Sequence, residues 1–123
     1  MTKPYTPAHF YEELRGVSDG AQIDYMKLVR VQMLPELIQA ACSMYGAWGP
    51  AMKNGTLLQL RALDWEVRGP FQQFPVLAVY HPKPGYGHAF STASYAGFIG
   101  TITGYSSAPV GVCEKVWLEY NGT

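Results

Sequence analysis

The strongest constraint on this chain is a change of hydrophobic period close to residue 41. Before it, Met26, Val29, Met33 and Leu37 recur at spacings of three and four, and Leu34, Ile38 and Ala41 widen the same face. That is the stripe an amphipathic helix buries. After it, short apolar and aromatic runs of strand length are cut apart by Pro70, Pro75, Pro82, Pro84 and Pro109. Proline has no amide hydrogen to give a ladder and therefore marks joints. A helical leader followed by consecutive strands predicts an α+β fold with antiparallel sheet.

Within the leader, Ser18 or Asp19 is placed to cap a helix running to about Ala41. Pro35 is expected to kink or split it near Leu34. A shorter helical turn over 10–15, ended by Gly16, precedes it. Strands are expected over 42–48, 56–65, 75–80, 88–95, 98–103 and 110–117. The first two make a hairpin whose turn is Lys53-Asn54-Gly55.

The 123 residues are enough for one domain. Nine basic residues balance nine acidic ones, which argues against binding nucleic acid or an anionic membrane, since both need a positive field. With 48% apolar and 15% charged residues, disorder is excluded. Two cysteines, Cys42 and Cys113, are too few for a disulfide scaffold or a four-thiolate zinc site. No apolar run reaches the roughly 20 residues of a membrane-spanning helix, and residues 1–7 lack the apolar core of a signal peptide. The chain's two asparagines, Asn54 and Asn121, both sit in Asn-Gly-Thr. That pattern accepts N-glycans and points to a secreted or lysosomal protein. Asn-Gly is equally the preferred hairpin dipeptide, which accounts for the same residues without a glycan.

The residues with chemical potential are Cys42, where leader meets first strand, and Arg61 and Asp64 near the end of the second strand. A hairpin brings one strand's start to its partner's end. Arg61 and Asp64 are three apart, however, so on a flat strand they face opposite sides. All three converge only if a bulge or turn intervenes close to Leu63. On spacing alone, a buried thiol, a surface charge and a strand-ending aspartate also account for them.

Cys42-Ser43, the glycine turn at Asn54-Gly55-Thr56 and Arg61-Ala62-Leu63-Asp64-Trp65 resemble the start of the mature chain in N-terminal-nucleophile cysteine hydrolases. The similarity is to the penicillin acyltransferase and acid ceramidase-like branch, where Cys-Thr/Ser is followed by a turn containing glycine and a strand ending Arg-Asn-x-Asp-Trp/Phe. Ala62 stands where that branch has Asn. The glycine-rich segment 97–104 is also similar, and the resemblance covers residues 42–117. It implies an αββα sandwich, of which this chain would supply a helical pro-segment (1–41) and the N-terminal part of the hydrolase domain (42–123) with part of its antiparallel sheets. It implies self-cleavage between Ala41 and Cys42, freeing an α-amino group that acts as base for the Cys42 thiol. Amines and thiols of these kinds titrate at about 8 and about 8.5, so the transfer is nearly isoenergetic. Arg61 would stabilise the thiolate and orient substrate, and Asp64 would hold the new ammonium. The implied substrate is a small-molecule amide or N-acyl compound, hydrolysed or transacylated through a thioester without cofactor or metal, with the pro-segment retained against the catalytic part. Tyr105-Ser106-Ser107 departs from the branch, which has Asn there, and a later Asn that completes the oxyanion hole is not found before Thr123. The expectation is therefore an N-terminal portion of a larger enzyme.

Other residues carry less. Cys113 reads as a packed thiol. His9, His81 and His88 lack metal spacing. Gly85-Tyr86-Gly87 is too short to cradle phosphate. Ser106 and Ser107 have no Gly-x-Ser-x-Gly frame. Trp48, Trp65 and Trp117 read as sheet packing, and Trp65, Phe71 and Phe74 offer walls for an acyl pocket. The competing reading is a small α+β binding module, or an inactive truncated relative, in which Cys42 only packs.

Overall fold

The helical period resolves into α1 (Ala8–Ala21), α2 (Tyr25–Val31) and a single turn, α3 (Leu34–Leu37). The computed structural model describes residues 3–37, 41–64 and 68–115. Helix α1 runs through Gly16, where the sequence suggests a stop, because Leu14 and Ser18, one turn apart, are both buried. Its end falls at Gln22, which adopts a left-handed φ of 54°. The amides of Gln22 and Ile23 return to the carbonyls of Asp19 and Ser18 at 3.4 and 3.1 Å, closing the last turn. The Ser18 hydroxyl donates to the Ile23 carbonyl at 2.6 Å. Ser18 therefore closes one helix instead of opening the next. The residue that opens α2 is Asp24, whose carboxylate accepts from the Lys27 amide at 3.0 Å. Helix α2 ends at Val31, four residues before Pro35, where a continuing helix would bring the proline ring against the Val31 carbonyl.

The strands form two antiparallel sheets. The first pairs β1 (Ala41–Gly49) with β2 (Gly55–Asp64), and the second is a four-stranded meander of β3 (Pro75–Tyr80), β4 (Phe90–Tyr95), β5 (Thr103–Ser106) and β6 (Gly111–Cys113). Gly55, at φ 66°, closes the hairpin turn and opens β2. The segment expected as a strand over 98–103 is mostly loop. Gly97 and Gly100 sit at φ 89° and 80°, outside extended geometry, and pairing resumes only at Thr103. Residue 65 and residues 116–117, expected to end two strands, lie outside the described residues.

Two glycines permit close approach. A Cβ on Gly104 would meet Thr101 and come within 2.9 Å of the Ser91 carbonyl, and a Cβ on Gly111 would collide with the Gln59 amide. The space at Gly111 lets Gln59 cross from β2 and donate to the Val112 carbonyl at 3.0 Å, tying the two sheets together.

The leader packs on the second sheet. Gln32 donates to the Gly97 carbonyl at 2.6 Å and accepts from the Ile99 amide at 3.1 Å, so one side chain satisfies both backbone groups of a loop that has left the ladder. Tyr80 donates to Glu13 at 2.8 Å. Leu14, Leu28, Cys42 and Ala47 are the buried apolar side chains among the described residues. Each buried leucine contributes about 1.5–3 kcal/mol. By contrast Tyr45, Leu58 and Leu60 are exposed. They lie together on one face of the β1–β2 hairpin, Tyr45 opposite Leu60 and Leu58 opposite Ala47. No described helix is long and apolar enough to cross a membrane.

Candidate functional site

The β1–β2 register decides what the hairpin brings together. Cys42 lies opposite Leu63, and Met44 opposite Arg61. Paired residues share a face, and residues two apart return to it. Cys42 and Arg61 therefore stand on one face as diagonal neighbours. Asp64 lies opposite Ala41, on the other face. The bulge near Leu63 that would swing it towards Cys42 is absent, and the irregularity falls between Ala47 and Gly49 instead. Arg61 and Cys42 meet; Asp64 joins the opposite side, directly across from the residue that precedes Cys42.

The Arg61 guanidinium donates to Cys42 Sγ at 3.3 Å. Cys42 is 6% exposed and the Arg61 side chain 5%, so this contact is shielded from water. The same Arg61 nitrogen, Nη2, lies 3.2 Å from a Glu114 carboxylate oxygen. Arg61 Nε is buried and finds no acceptor among the described residues. Leaving such a donor unpaired costs about 1–3 kcal/mol, so the guanidinium is held here against a penalty. Immediately after Glu114, Lys115 donates to the Cys42 carbonyl at 2.7 Å. The two residues that follow β6 thus hold Cys42 twice, Glu114 through Arg61 and Lys115 through the Cys42 backbone. Sequence spacing did not select Glu114 or Lys115, which are remote from Cys42 along the chain and become neighbours only through the crossing of β2 and β6.

The remaining residues picked out by sequence lie apart from this contact. Phe71 packs with Phe98 and Tyr95, ring centroids 5.2 and 6.1 Å away. Phe74 is exposed, and Trp65 and Asn121 lie outside the described residues. Asn54 is exposed in the hairpin turn. Cys113 is a free, half-buried thiol whose sulfur lies 3.9 Å from Met44 Sδ. Cys42 is also a free thiol. The described residues contain no group of three His, Cys, Asp or Glu side chains able to hold a metal ion.

Comparison with known proteins places the chain beside longer relatives. It is 52% identical over 122 residues to Protein dcd1B of Dictyostelium discoideum, an alignment covering 99% of this chain and 24% of the relative. It is 50% identical over 130 residues to Protein dcd1A of the same organism, covering 100% of this chain and 29% of the relative. An uncharacterized protein of Archaeoglobus fulgidus is 26% identical over 131 residues, covering 88% of this chain and 21% of its own length. The chain spans about a quarter of the length of these curated relatives. No protein-family model matches it, and no solved structure matches it.

Chemically, the site supplies a shielded thiol, a guanidinium in contact with its sulfur, a carboxylate anchoring that guanidinium and an ammonium on the adjacent carbonyl.

Proposed function

We propose that Cys42 is the nucleophile of an amidohydrolase or acyltransferase that acts on linear amide bonds. The observation that carries this reading is the contact of the buried Arg61 guanidinium with Cys42 Sγ at 3.3 Å, between residues 19 apart that only the hairpin register unites. The thiol would first attack the Ala41 carbonyl carbon, shifting the acyl group from nitrogen to sulfur. Water would then hydrolyse that thioester, leaving a carboxylate on Ala41 and a free α-amino group on Cys42. In turnover this amine takes the thiol proton and the thiolate attacks the substrate carbonyl. The tetrahedral intermediate collapses as the leaving amine takes up the proton, and water or a second amine accepts the acyl group from sulfur. Asp64, across the ladder from Ala41, is one residue from the new ammonium and would hold it. Arg61 would stabilise charge on sulfur, and Glu114 would hold Arg61.

The leader contacts through Gln32 and Glu13 support a pro-segment that stays bound after cleavage. The uncovered apolar face of Tyr45, Leu58 and Leu60 supports a further layer over the hairpin, as an αββα sandwich would have. The Asn-Gly-Thr turn at Asn54 fits a secreted or lysosomal site of action.

Intact-mass analysis of the full-length protein tests the reading. Time-dependent separation into pieces divided between Ala41 and Cys42, lost in Cys42→Ala, is the expected result, together with a thioester adduct on Cys42 when a fluorogenic N-acyl amide is supplied. A protein that never divides there and never acylates at Cys42 is instead a binding module with a packed cysteine.

A further inference from the structure

A second feature lies away from Cys42. Between α1 and the β3–β4 edge is a cleft of about 560 Å³, within the range of small-ligand sites, roughly 300–1,000 Å³. Neither Cys42, Arg61 nor Asp64 lines it. Its aromatic lining begins with Tyr80 and Phe90, partners across the β3–β4 ladder, stacked with centroids 4.7 Å apart and planes 6° from parallel. Stacking covers one face of each ring. Phe10 of α1 adds a third ring, lying over Gly100.

The cleft's charge is one-sided. Glu13 is its acidic side chain, and no lysine or arginine is among the described residues that line it. Glu13 accepts the Tyr80 hydroxyl at 2.8 Å but forms no ion pair with a described residue. Glu13 is half-buried, shares the cleft with three aromatic rings and accepts one hydrogen bond there, from the Tyr80 hydroxyl. A cation would complete it. His9 and His81 also line the cleft; the described residues make no three-ligand metal group, and the aromatic lining suits an organic cation. Aromatic faces attract such cations through the negative face of the ring.

We infer that this cleft binds a small organic ammonium ion, its charge set against Glu13 and its substituents against Phe10, Tyr80 and Phe90. The site does not depend on the chemistry of Cys42. Because α1 lies before the Ala41–Cys42 bond and β3–β4 after it, an occupant touches both sides of that bond.

The test compares choline with 3,3-dimethylbutan-1-ol, which has the same shape with carbon in place of the charged nitrogen. Binding to the full-length protein is followed by ligand-observed NMR titration. Saturable choline binding is expected, with the neutral analogue at least about tenfold weaker. Glu13→Gln keeps an acceptor for Tyr80 and the side-chain shape; it is expected to weaken choline by about tenfold and leave the neutral analogue unmoved. Equal affinity for the two probes, an unchanged choline affinity in Glu13→Gln, or no choline binding at tens of millimolar overturns the inference. The comparison of the two probes is made on the unaltered protein, so it decides the matter whatever the variant does to folding.

Discussion

Arg61 Nη2 lies 3.3 Å from Cys42 Sγ and 3.2 Å from a Glu114 oxygen, so a single nitrogen joins the thiol to its anchor. Lysine at this position keeps a positive charge but carries it on a compact ammonium at the end of a flexible stem, which does not place a donor where Nη2 sits. Arg61→Lys is therefore expected to lower kcat/KM for an N-acyl amide by about a hundredfold, equivalent to about 2.7 kcal/mol of transition-state stabilisation. Steady-state kinetics on the processed full-length protein checks this. A variant within threefold of wild type would remove Arg61 from the mechanism.

In the proposed mechanism Glu114 acts through Arg61, as a positioning residue. It is 45% exposed, and an ion pair so placed adds at most about 1 kcal/mol to stability. Glu114→Gln should leave the melting temperature within about 3 °C of wild type. It should lower kcat about tenfold with KM little changed, because what is lost is the setting of the guanidinium and not a contact with substrate. If instead melting falls steeply and kcat holds, Glu114 serves the fold alone.

The contrast between Arg61 and Glu114 shows what was legible in the sequence. The period change near residue 41 and the Asn54-Gly55 turn sufficed for the helical leader and the hairpin, because both signals are local. Arg61 was found because the hairpin that brings it to Cys42 is local too. The odd spacing of Asp64 already indicated the opposite face, and the unbroken register at Leu63 keeps it there. Glu114 and Lys115 were illegible because β6 reaches β2 through Gln59 and a gap at Gly111, a side-chain crossing without sequence period. Segment 98–103 misled because its Phe-Ile-x-Thr-Ile pattern has strand composition. The positive φ values at Gly97 and Gly100 and the Gln32 amide give its backbone other partners. Ser18 misled in the leader because a serine can close a helix as well as cap one, and burial beside Leu14 chose the former.

Gln32 supplies both halves of an amide pair to loop 97–100, accepting from Ile99 and donating to Gly97. Gln32→Glu keeps the acceptor and loses the donor, placing an anionic oxygen against the Gly97 carbonyl. A part-buried carbonyl deprived of its partner costs about 1–3 kcal/mol. The expected result is a loss of stability in that range by urea denaturation, with faster hydrogen exchange concentrated at Ile99 and in α2. An unchanged exchange pattern would mean that the leader is held to the sheet by other contacts.

Tyr80 provides a pH-dependent readout of the same docking. Its hydroxyl is pushed from 10.0 up to about 12, chiefly by burial, then by its hydrogen bond to Glu13 and the negative charge there. Below pH 10 the phenol is protonated in both folded and unfolded chains, and its contribution is fully present. Between pH 10 and about 12 the unfolded chain gives up this proton while the folded chain retains it, so rising pH favours unfolding; above about 12 the contribution is gone. Tyr80→Phe removes the titration along with the hydrogen bond to Glu13. Wild type should therefore hold a stability advantage over the variant at pH 9 that narrows as pH approaches 12. Urea midpoints for both proteins at half-unit steps measure the difference directly, and other tyrosines and lysines cancel because both chains carry them. A difference that stays flat across that interval would show that the Tyr80 proton is not held by the fold, and that the Glu13 contact does not tie α1 to β3.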